Sequence, residues 1–191
     1  MRLFAAIRPP QAVLDHLASA LDLLSADRRG RNPWLPQINW HITLAFYGDV
    51  PDGLAPEIAQ RLAAVARTTG PFQLHLAGAG VFNRDTCWVG LADPSDALTS
   101  LAEDLRRDLV RAGQHASHRF HLTVSRSGRR ADLAPAMRAL AVYTGPDWLV
   151  DQIGAYRSDL GQGIGGHPRY SEIASAHLTG DAPSGGGDAS R

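Results

Sequence analysis

The pattern of apolar and polar positions along the chain predicts strands alternating with helices. Strict alternation from Phe72 to Leu76 and an apolar run from Cys87 to Leu91 are typical of the two strands of a hairpin. In several other segments apolar residues recur about every 3.6 positions, which predicts helices. The predicted elements are, in chain order, a strand at 1–7, a helix at 13–24, a strand at 38–46, a helix at 54–67, the hairpin, a helix at 95–113 that ends at a glycine, a strand at 120–124, a helix at 133–140, and strands at 148–158 and 170–176.

Two of the predicted strands contain the same tripeptide, His-x-Thr, as His41-Ile42-Thr43 and His121-Leu122-Thr123. Positions i and i+2 of a strand point to the same face, so each histidine shares a face with its own threonine, and the apolar middle residue points into a core. Each copy therefore presents an imidazole beside a hydroxyl. Two such pairs facing each other would supply an acid, a base and two hydroxyl donors. This set suffices for in-line attack on a phosphodiester without a metal ion.

A single His-x-Thr tripeptide carries little information, because one histidine satisfied by hydrogen bonds would explain it. Two copies in matching strand contexts, 80 residues apart, are more specific. In this the chain resembles the 2H phosphoesterase superfamily, and within it the bacterial RNA 2′,3′-cyclic phosphodiesterases, also called 2′-5′ RNA ligase-like proteins. The resemblance covers roughly residues 1–178 and includes the opening strand with Pro9-Pro10, the segments Leu44 to Val50, Gly80 to Phe82 and Cys87 to Gly90, and Arg126.

Two positions depart from the family's usual pattern. Phe120 precedes the second histidine where proline is usual, and Val124-Ser125 precedes Arg126 where Leu-Ala is commoner. Neither change replaces a histidine, a threonine or the arginine, so the candidate site is intact.

The resemblance implies an α+β fold, the two-lobed 2H phosphoesterase fold. Two antiparallel sheets would form halves related by a pseudo-twofold axis, with helices on the outside and the active-site cleft between the lobes. At 191 residues the chain suits one such domain, which we place at residues 1–178. Residues 179–191 are rich in glycine and serine, cannot bury apolar surface, and are predicted to form a disordered tail.

The resemblance also implies metal-independent hydrolysis of 2′,3′-cyclic phosphate ends of RNA to 2′-phosphates, with no cofactor. His41 would be the general acid toward the departing 3′ oxygen, and His121 the general base that activates water. Thr43 and Thr123 would donate hydrogen bonds to the phosphate oxygens. The candidate substrates are RNA with 2′,3′-cyclic phosphate ends and cyclic nucleotides.

Strand alternation leaves two further site residues undecided. Arg126 lies three residues past Thr123, so it points to the opposite face unless the strand ends or bends near Ser125. The resemblance is the reason to include Arg126 as a phosphate-binding residue. Alternation likewise places Phe46 in the core, where we expect it to pack. A bulge would instead turn Phe46 toward the site, as a stacking surface for a base.

Charge is distributed unevenly although the formal net charge is zero. All 19 basic residues are arginine, and both motifs lie in windows without an acidic residue, at 28–48 and 109–131. Arginine forks match phosphate oxygens, so these windows favour a phosphate-bearing partner such as RNA. Cys87 is the single cysteine, which excludes an internal disulfide, and no segment is apolar over the length of a membrane span. We therefore expect a cytoplasmic protein, and the resemblance together with the absence of an obvious exposed apolar helix favours a monomer without an obligate protein partner.

Other functions stay open on the sequence alone. The same fold could act as a 2′-5′ RNA ligase or on a small cyclic nucleotide, and a module without catalysis could bind RNA ends with the same pocket. Two intact motifs argue against a pure binding module, because binding needs donors but no matched acid and base. A zinc site at His115, His118 and His121 is the alternative to metal-free chemistry, but Gly113 would end the helix that could bring these histidines together.

Overall fold

The computed structural model describes residues 1–25, 34–83, 85–92, 96–107, 119–126 and 134–181. Eight strands and four α-helices lie within these residues, which confirms the mixed class predicted from the sequence. The strands are β1 (Arg2–Ile7), β2 (Ile42–Asp49), β3 (Phe72–Phe82), β4 (Thr86–Ala92), β5 (His121–Arg126), β6 (Trp148–Val150), β7 (Gln152–Asp159) and β8 (Arg169–His177). The helices are α1 (Gln11–Ser25), α2 (Ala55–Thr68), α3 (Ala97–Arg106) and α4 (Ala134–Leu140).

The eight described strands form one antiparallel sheet, in the order β6-β3-β4-β5-β2-β1-β7-β8. The order is similar on the two sides of the junction between β5 and β2. Outward from this junction, β5 is followed by β4 and β3, and β2 is followed by β1 and β7. Within the described residues, a single register pair, Ile42 with Leu122, joins the two halves. The two separate sheets expected from the sequence are therefore parts of one sheet, which is narrow at the junction of β2 and β5.

The sheet curls back on itself at the turn between β6 and β7. Only Asp151 separates these strands, yet β6 pairs with β3 at one end of the sheet and β7 pairs with β1 near the other end. Both pairings are possible only if the β6 edge returns to the neighbourhood of β7. The prediction of one continuous strand at 148–158 is therefore wrong at Asp151, where the pairing partner changes from β3 to β1.

One face of the sheet carries the main hydrophobic core. Strand residues on this face pack against the apolar sides of α1, α2 and α3, as the helical periodicity predicted. Burial of each such leucine or isoleucine stabilises the fold by roughly 1.5–3 kcal/mol. The largest fully buried side chains are Leu3, Ile7, Leu17, Leu21, Ile42, Leu44, Ile58, Leu62, Leu74, Leu76, Leu98 and Leu101.

The opposite face of the sheet carries a second, smaller cluster. Phe4 and Ala6 alternate along β1 with residues of the main core, so they point away from that core. They pack with Tyr156, and Phe46 and Tyr170 lie partly buried against them. This aromatic cluster lies on the face to which the motif histidines also point.

Helix α3 is shorter than predicted. It ends at Arg106 instead of Gly113, because Arg107 leaves the helical conformation with φ −53° and ψ 127°. Gly113 lies outside the described residues, as do His115 and His118, two of the three histidines of the zinc alternative. None of the helices in the described residues has the length and apolar character that crossing a bilayer requires.

The packed chain continues past the boundary predicted at residue 178. The N–H groups of Thr179 and Gly180 donate to the carbonyl oxygens of Ala66 and Thr69, which ties both residues to the end of α2. Residues 182–191 of the predicted tail lie outside the described residues.

Candidate active site

The two His-x-Thr motifs lie side by side at the junction of β2 and β5. The register pairs Ile42 with Leu122, the middle residues of the motifs, and both are fully buried in the main core. The flanking positions therefore point to the opposite face, as strand alternation predicted. One step along this register in either direction, the histidine of one motif lies across from the threonine of the other. The four half-buried side chains brought together on this face are His41, Thr43, His121 and Thr123.

Both imidazoles are held by the same local hydrogen bond. Nδ1 of His41 lies 2.8 Å from the carbonyl oxygen of Asn39, and Nδ1 of His121 lies 2.7 Å from the carbonyl oxygen of Arg119. A carbonyl oxygen only accepts, so each Nδ1 carries the hydrogen and donates it. In the neutral ring Nε2 then has a free lone pair, and in the charged ring Nε2 carries the second proton. In each histidine, Nε2 is therefore the ring nitrogen that can gain or lose a proton.

Aromatic rings surround both histidines. The Phe4 ring lies 4.8 Å from the His41 ring, centroid to centroid, and Tyr170 meets His41 edge to face at 5.0 Å. Around His121, Phe82 meets the imidazole edge to face at 4.9 Å. These contacts restrict the rotation of both imidazoles and exclude water from one side of each.

The pKa of His41 is lowered from 6.5 to about 4. Burial is the main cause, because it disfavours the charged imidazole, and the nearby cations Arg126, Arg8 and His121 lower the value further. The hydrogen bond to Asn39 opposes this shift, since it favours the protonated ring. His41 is therefore neutral at pH 7 in the absence of substrate.

The pKa of His121 is also lowered, again mainly by burial and then by the charge of Arg126, against the opposing hydrogen bond to Arg119. An anion bound beside the imidazoles would favour the charged rings and so raise both pKa values.

A β-bulge brings Arg126 onto the histidine face. On β4, the neighbours Trp88 and Cys87 pair with Thr123 and Ser125 of β5, so the intervening Val124 is an extra residue. Val124 and Ser125 are both fully buried, and alternation resumes with Arg126 exposed on the face of the histidines. The bend near Ser125 that the sequence analysis required for Arg126 is therefore present.

The same bulge occurs on β2 and decides the position of Phe46. Thr43 pairs with Ala6 and Ala45 with Ala5, which leaves Leu44 as the extra residue. Phe46 consequently does not point into the main core, as simple alternation predicted, but lies against the smaller aromatic cluster on the histidine face. The guanidinium carbon of Arg2 lies 4.7 Å from the centroid of the Phe46 ring.

The carbonyl oxygens of both extra residues accept hydrogen bonds from outside the sheet. Nε of Arg106, at the end of α3, donates to the carbonyl oxygen of Leu44 at 2.8 Å. The N–H of Leu35 donates to the carbonyl oxygen of Val124, also at 2.8 Å. Because a buried carbonyl is costly without a partner, these bonds stabilise both bulges.

The aromatic residues beside the histidines, and also Arg8, were not predicted as part of the site from the sequence. Phe4 and Arg8 share a face of β1 by alternation, which could have shown that they lie on one side of the sheet. It could not have shown that this side faces His41, because that depends on the pairing of β1 with β2. Gly80 also has a role in the site: the ring of Trp88 lies where a Cβ atom of residue 80 would be.

The fold and the paired motifs define a phosphoesterase-like arrangement, and sequence comparison identifies the family. The chain belongs to the 2′-5′ RNA ligase superfamily, whose sequence model matches residues 9–162. It is 33% identical over 178 residues to the RNA 2′,3′-cyclic phosphodiesterase of Geobacillus stearothermophilus, an alignment that covers 87% of this chain and 54% of the relative. The chain thus spans about half the length of that relative.

Solved structures share the fold over nearly the whole chain. The crystal structure of TT0787 of Thermus thermophilus superimposes with a TM-score of 0.73 at 25% identity, covering 95% of this chain and 100% of that one. E. coli LigT complexed with NADP+ superimposes with a TM-score of 0.67 at 26% identity, covering 93% and 98%. The curled sheet with its helices is therefore shared with these two proteins.

Proposed function

We propose that the protein is an RNA 2′,3′-cyclic phosphodiesterase that hydrolyses cyclic phosphate ends to 2′-phosphates. The observation that carries this proposal is the register pair of Ile42 with Leu122, because it assembles two imidazoles and two hydroxyls on one face. The name of the Geobacillus stearothermophilus relative supports the same activity.

The strand order supports a second inference, that the two halves of the sheet are lobes related by a pseudo-twofold axis. The axis would pass through the junction of β2 and β5, and the substrate cleft would lie there, between the lobes. The equivalent bulges on these two strands support this relation, since a bulge at the same distance from both motifs fits a shared architecture.

The proposed reaction needs one proton acceptor and one proton donor. Nε2 of His121 takes a proton from water, the water oxygen bonds to phosphorus, and the bond from phosphorus to the 3′ oxygen breaks. Protonated Nε2 of His41 donates its proton to the departing 3′ oxygen, which leaves a 2′-phosphate. His41 must therefore gain a proton when the anionic substrate binds, because its pKa of about 4 leaves it neutral in the free protein.

The remaining site residues would bind the phosphate and the base. Thr43 and Thr123 would donate hydrogen bonds to the non-bridging oxygens as charge develops on them. The Arg126 guanidinium would bind the same phosphate. Phe46 would stack on the terminal base, in the place that the Arg2 guanidinium takes over its ring in the free protein. We further propose that the protein acts as a cytoplasmic monomer without a resident cofactor, as expected from the sequence.

Turnover of a 2′,3′-cyclic nucleotide, measured with and without EDTA, tests this proposal. We expect hydrolysis that EDTA does not reduce, with a 2′-phosphate as the product by phosphorus NMR. A 3′-phosphate product would reverse the proposed direction of proton transfer, and activity lost to EDTA would favour the zinc alternative. Joining of RNA ends without hydrolysis would favour a 2′-5′ RNA ligase, and tight binding without either reaction would favour a binding module.

A further inference from the structure

A cavity of about 220 Å³, lined by both polar and apolar residues, lies beside the His41 end of the site, at the turn between β6 and β7 where the sheet closes on itself. Two of its lining residues, Arg8 and Tyr156, also line a small pocket together with His41. The cavity is therefore adjacent to the site but distinct from the His-x-Thr cluster. Its polar lining, which we call the Arg8 pocket, consists of Arg8, Asp151, Gln152, Tyr156, Glu172 and Ser175.

The position of Arg8 follows from the strand that precedes it. Ile7 lies in the main core, so the next residue points to the opposite face, where the histidines are. Ile7 pairs with Ile42 of β2, and one further step along this register places Arg8 across from His41. Arg8 is exposed and forms no ion pair within the part of the chain that the structure describes.

In the other half of the site, Gly90 of β4 pairs with His121, in the place that Arg8 takes beside His41. These two paired positions thus differ in charge, while on the His121 side the Arg119 guanidinium carbon lies 5.1 Å from the ring of Trp88. An RNA that ends in a cyclic phosphate continues in one direction only, toward its 5′ end. A cation on one side of the cluster is what would bind the next phosphate of such a strand.

The other residues of the Arg8 pocket suit the polar edges of a nucleotide. The hydroxyl of Tyr156 donates to Oε2 of Glu172 at 3.2 Å, which holds the phenol ring along the pocket wall. Gly154 is required for this position, because a Cβ atom there would lie 2.5 Å from the Tyr156 hydroxyl oxygen. Glu172 and Gln152 present acceptors for amino and hydroxyl groups. The volume is below the roughly 300–1,000 Å³ of pockets for drug-sized ligands, which fits part of one nucleotide.

We propose that the Arg8 pocket binds the second nucleotide of the RNA, counted from the cyclic end, and that Arg8 binds the phosphodiester joining it to the terminal nucleotide. This inference rests on the proposed function and adds to it a substrate class. The preferred substrate is an oligoribonucleotide, and the pocket distinguishes it from a cyclic mononucleotide.

The test compares kcat/KM for a 2′,3′-cyclic mononucleotide with that for a dinucleotide having the same terminal base and cyclic end. The wild-type protein should prefer the dinucleotide. Arg8→Ala should reduce the ratio of the two kcat/KM values by roughly tenfold or more, since a charged hydrogen bond is lost. Ser175→Phe should reduce the same ratio by filling the pocket without changing a charge. Arg67→Ala, which removes an arginine from α2 on the core side of the sheet, is the matched control and should leave the ratio unchanged.

Two outcomes would overturn the inference: no preference for the dinucleotide in the wild type, or equal losses on both substrates in Arg8→Ala and Ser175→Phe. Failure of the proposed function is recognised separately, as absence of turnover of either substrate. In that case, calorimetric binding of the 2′-phosphorylated dinucleotide and mononucleotide still tests the pocket. Tighter binding of the dinucleotide that depends on Arg8 would support it, and equal binding would reject it. Inorganic phosphate, measured in parallel, shows whether Arg8 binds any anion regardless of the nucleotide.

Discussion

Phe46 and Arg126 occupy equivalent places in the two halves of the site. Each is the third residue after a motif threonine, and each follows a β-bulge whose extra residue, Leu44 or Val124, is fully buried. The bulges turn both side chains onto the histidine face. One strand carries an aromatic ring there and the other a cation, so the site is asymmetric although its histidines and threonines match. This asymmetry would favour one orientation of a bound nucleotide.

Replacing either histidine by alanine should abolish turnover while the chain stays folded. A general acid or base typically contributes roughly 10²–10⁴-fold, so we expect a fall in kcat of that order for His41→Ala and for His121→Ala. Circular dichroism and the Tm report on folding. His75→Ala is the matched control, because His75 pairs with Asp147 at 3.0 Å outside the site. Retention of more than about a tenth of the wild-type rate in either site variant would contradict the two-histidine mechanism.

The pH profile of kcat/KM should be bell-shaped, with its maximum on the acid side of neutrality. This parameter reports the pKa values of the free protein, and burial lowers those of both histidines, that of His41 to about 4. The reactive form holds one imidazole proton, so activity should rise as pH increases through about 4, the lower of the two pKa values, because the doubly protonated protein has no base. Activity should fall again below the ordinary histidine value of about 6.5, where the protein loses its last imidazole proton and has no acid. Rates measured from pH 3.5 to 9 at constant ionic strength test this, and a plateau that extends to pH 9 would be inconsistent with it.

Arg126→Ala should raise KM more than it lowers kcat. In the proposed site the guanidinium would meet a phosphate that is already anionic in the ground state, so most of its contribution would be to binding. Steady-state kinetics with a cyclic nucleotide separate the two parameters. Arg138→Ala, an exposed arginine of α4, controls for the loss of one charge. If kcat falls as much as kcat/KM, Arg126 instead stabilises charge that develops only in the transition state.

Gly80→Ala should destabilise the protein and reduce turnover together. A Cβ atom at residue 80 would overlap the ring of Trp88, and displacing that ring disturbs the aromatic surroundings of His121. Overpacking of this kind typically costs roughly 1–3 kcal/mol, which a urea titration measures. Gly53→Ala is the matched control, because nothing lies within 4 Å of a Cβ atom there. Equal stabilities of the two variants would show that Trp88 moves aside without cost.

Much of the site could be predicted from the sequence because it depends on alternation within short strands. His41 and His121 share faces with their own threonines, and Ile42 and Leu122 are buried, as expected for residues one and two apart in a strand. The position of Phe46 could not be predicted. Gly48 follows Phe46 in β2, but a bulge exists only relative to the neighbouring strand, so this segment alone does not determine that Leu44 is the extra residue.

By itself, the sequence determined the strands and most of the helices, the faces of the two motifs and the family resemblance, because each of these is encoded in residues close together in the chain. Only the tertiary structure decided which strands are neighbours: the junction of β2 with β5, the change of partner at Asp151, and the approach of Arg8 to His41. Pairing between segments 80 residues apart depends on how the whole sheet buries its core. Neither segment's own pattern contains that information, so the geometry of the site became visible only in the folded chain.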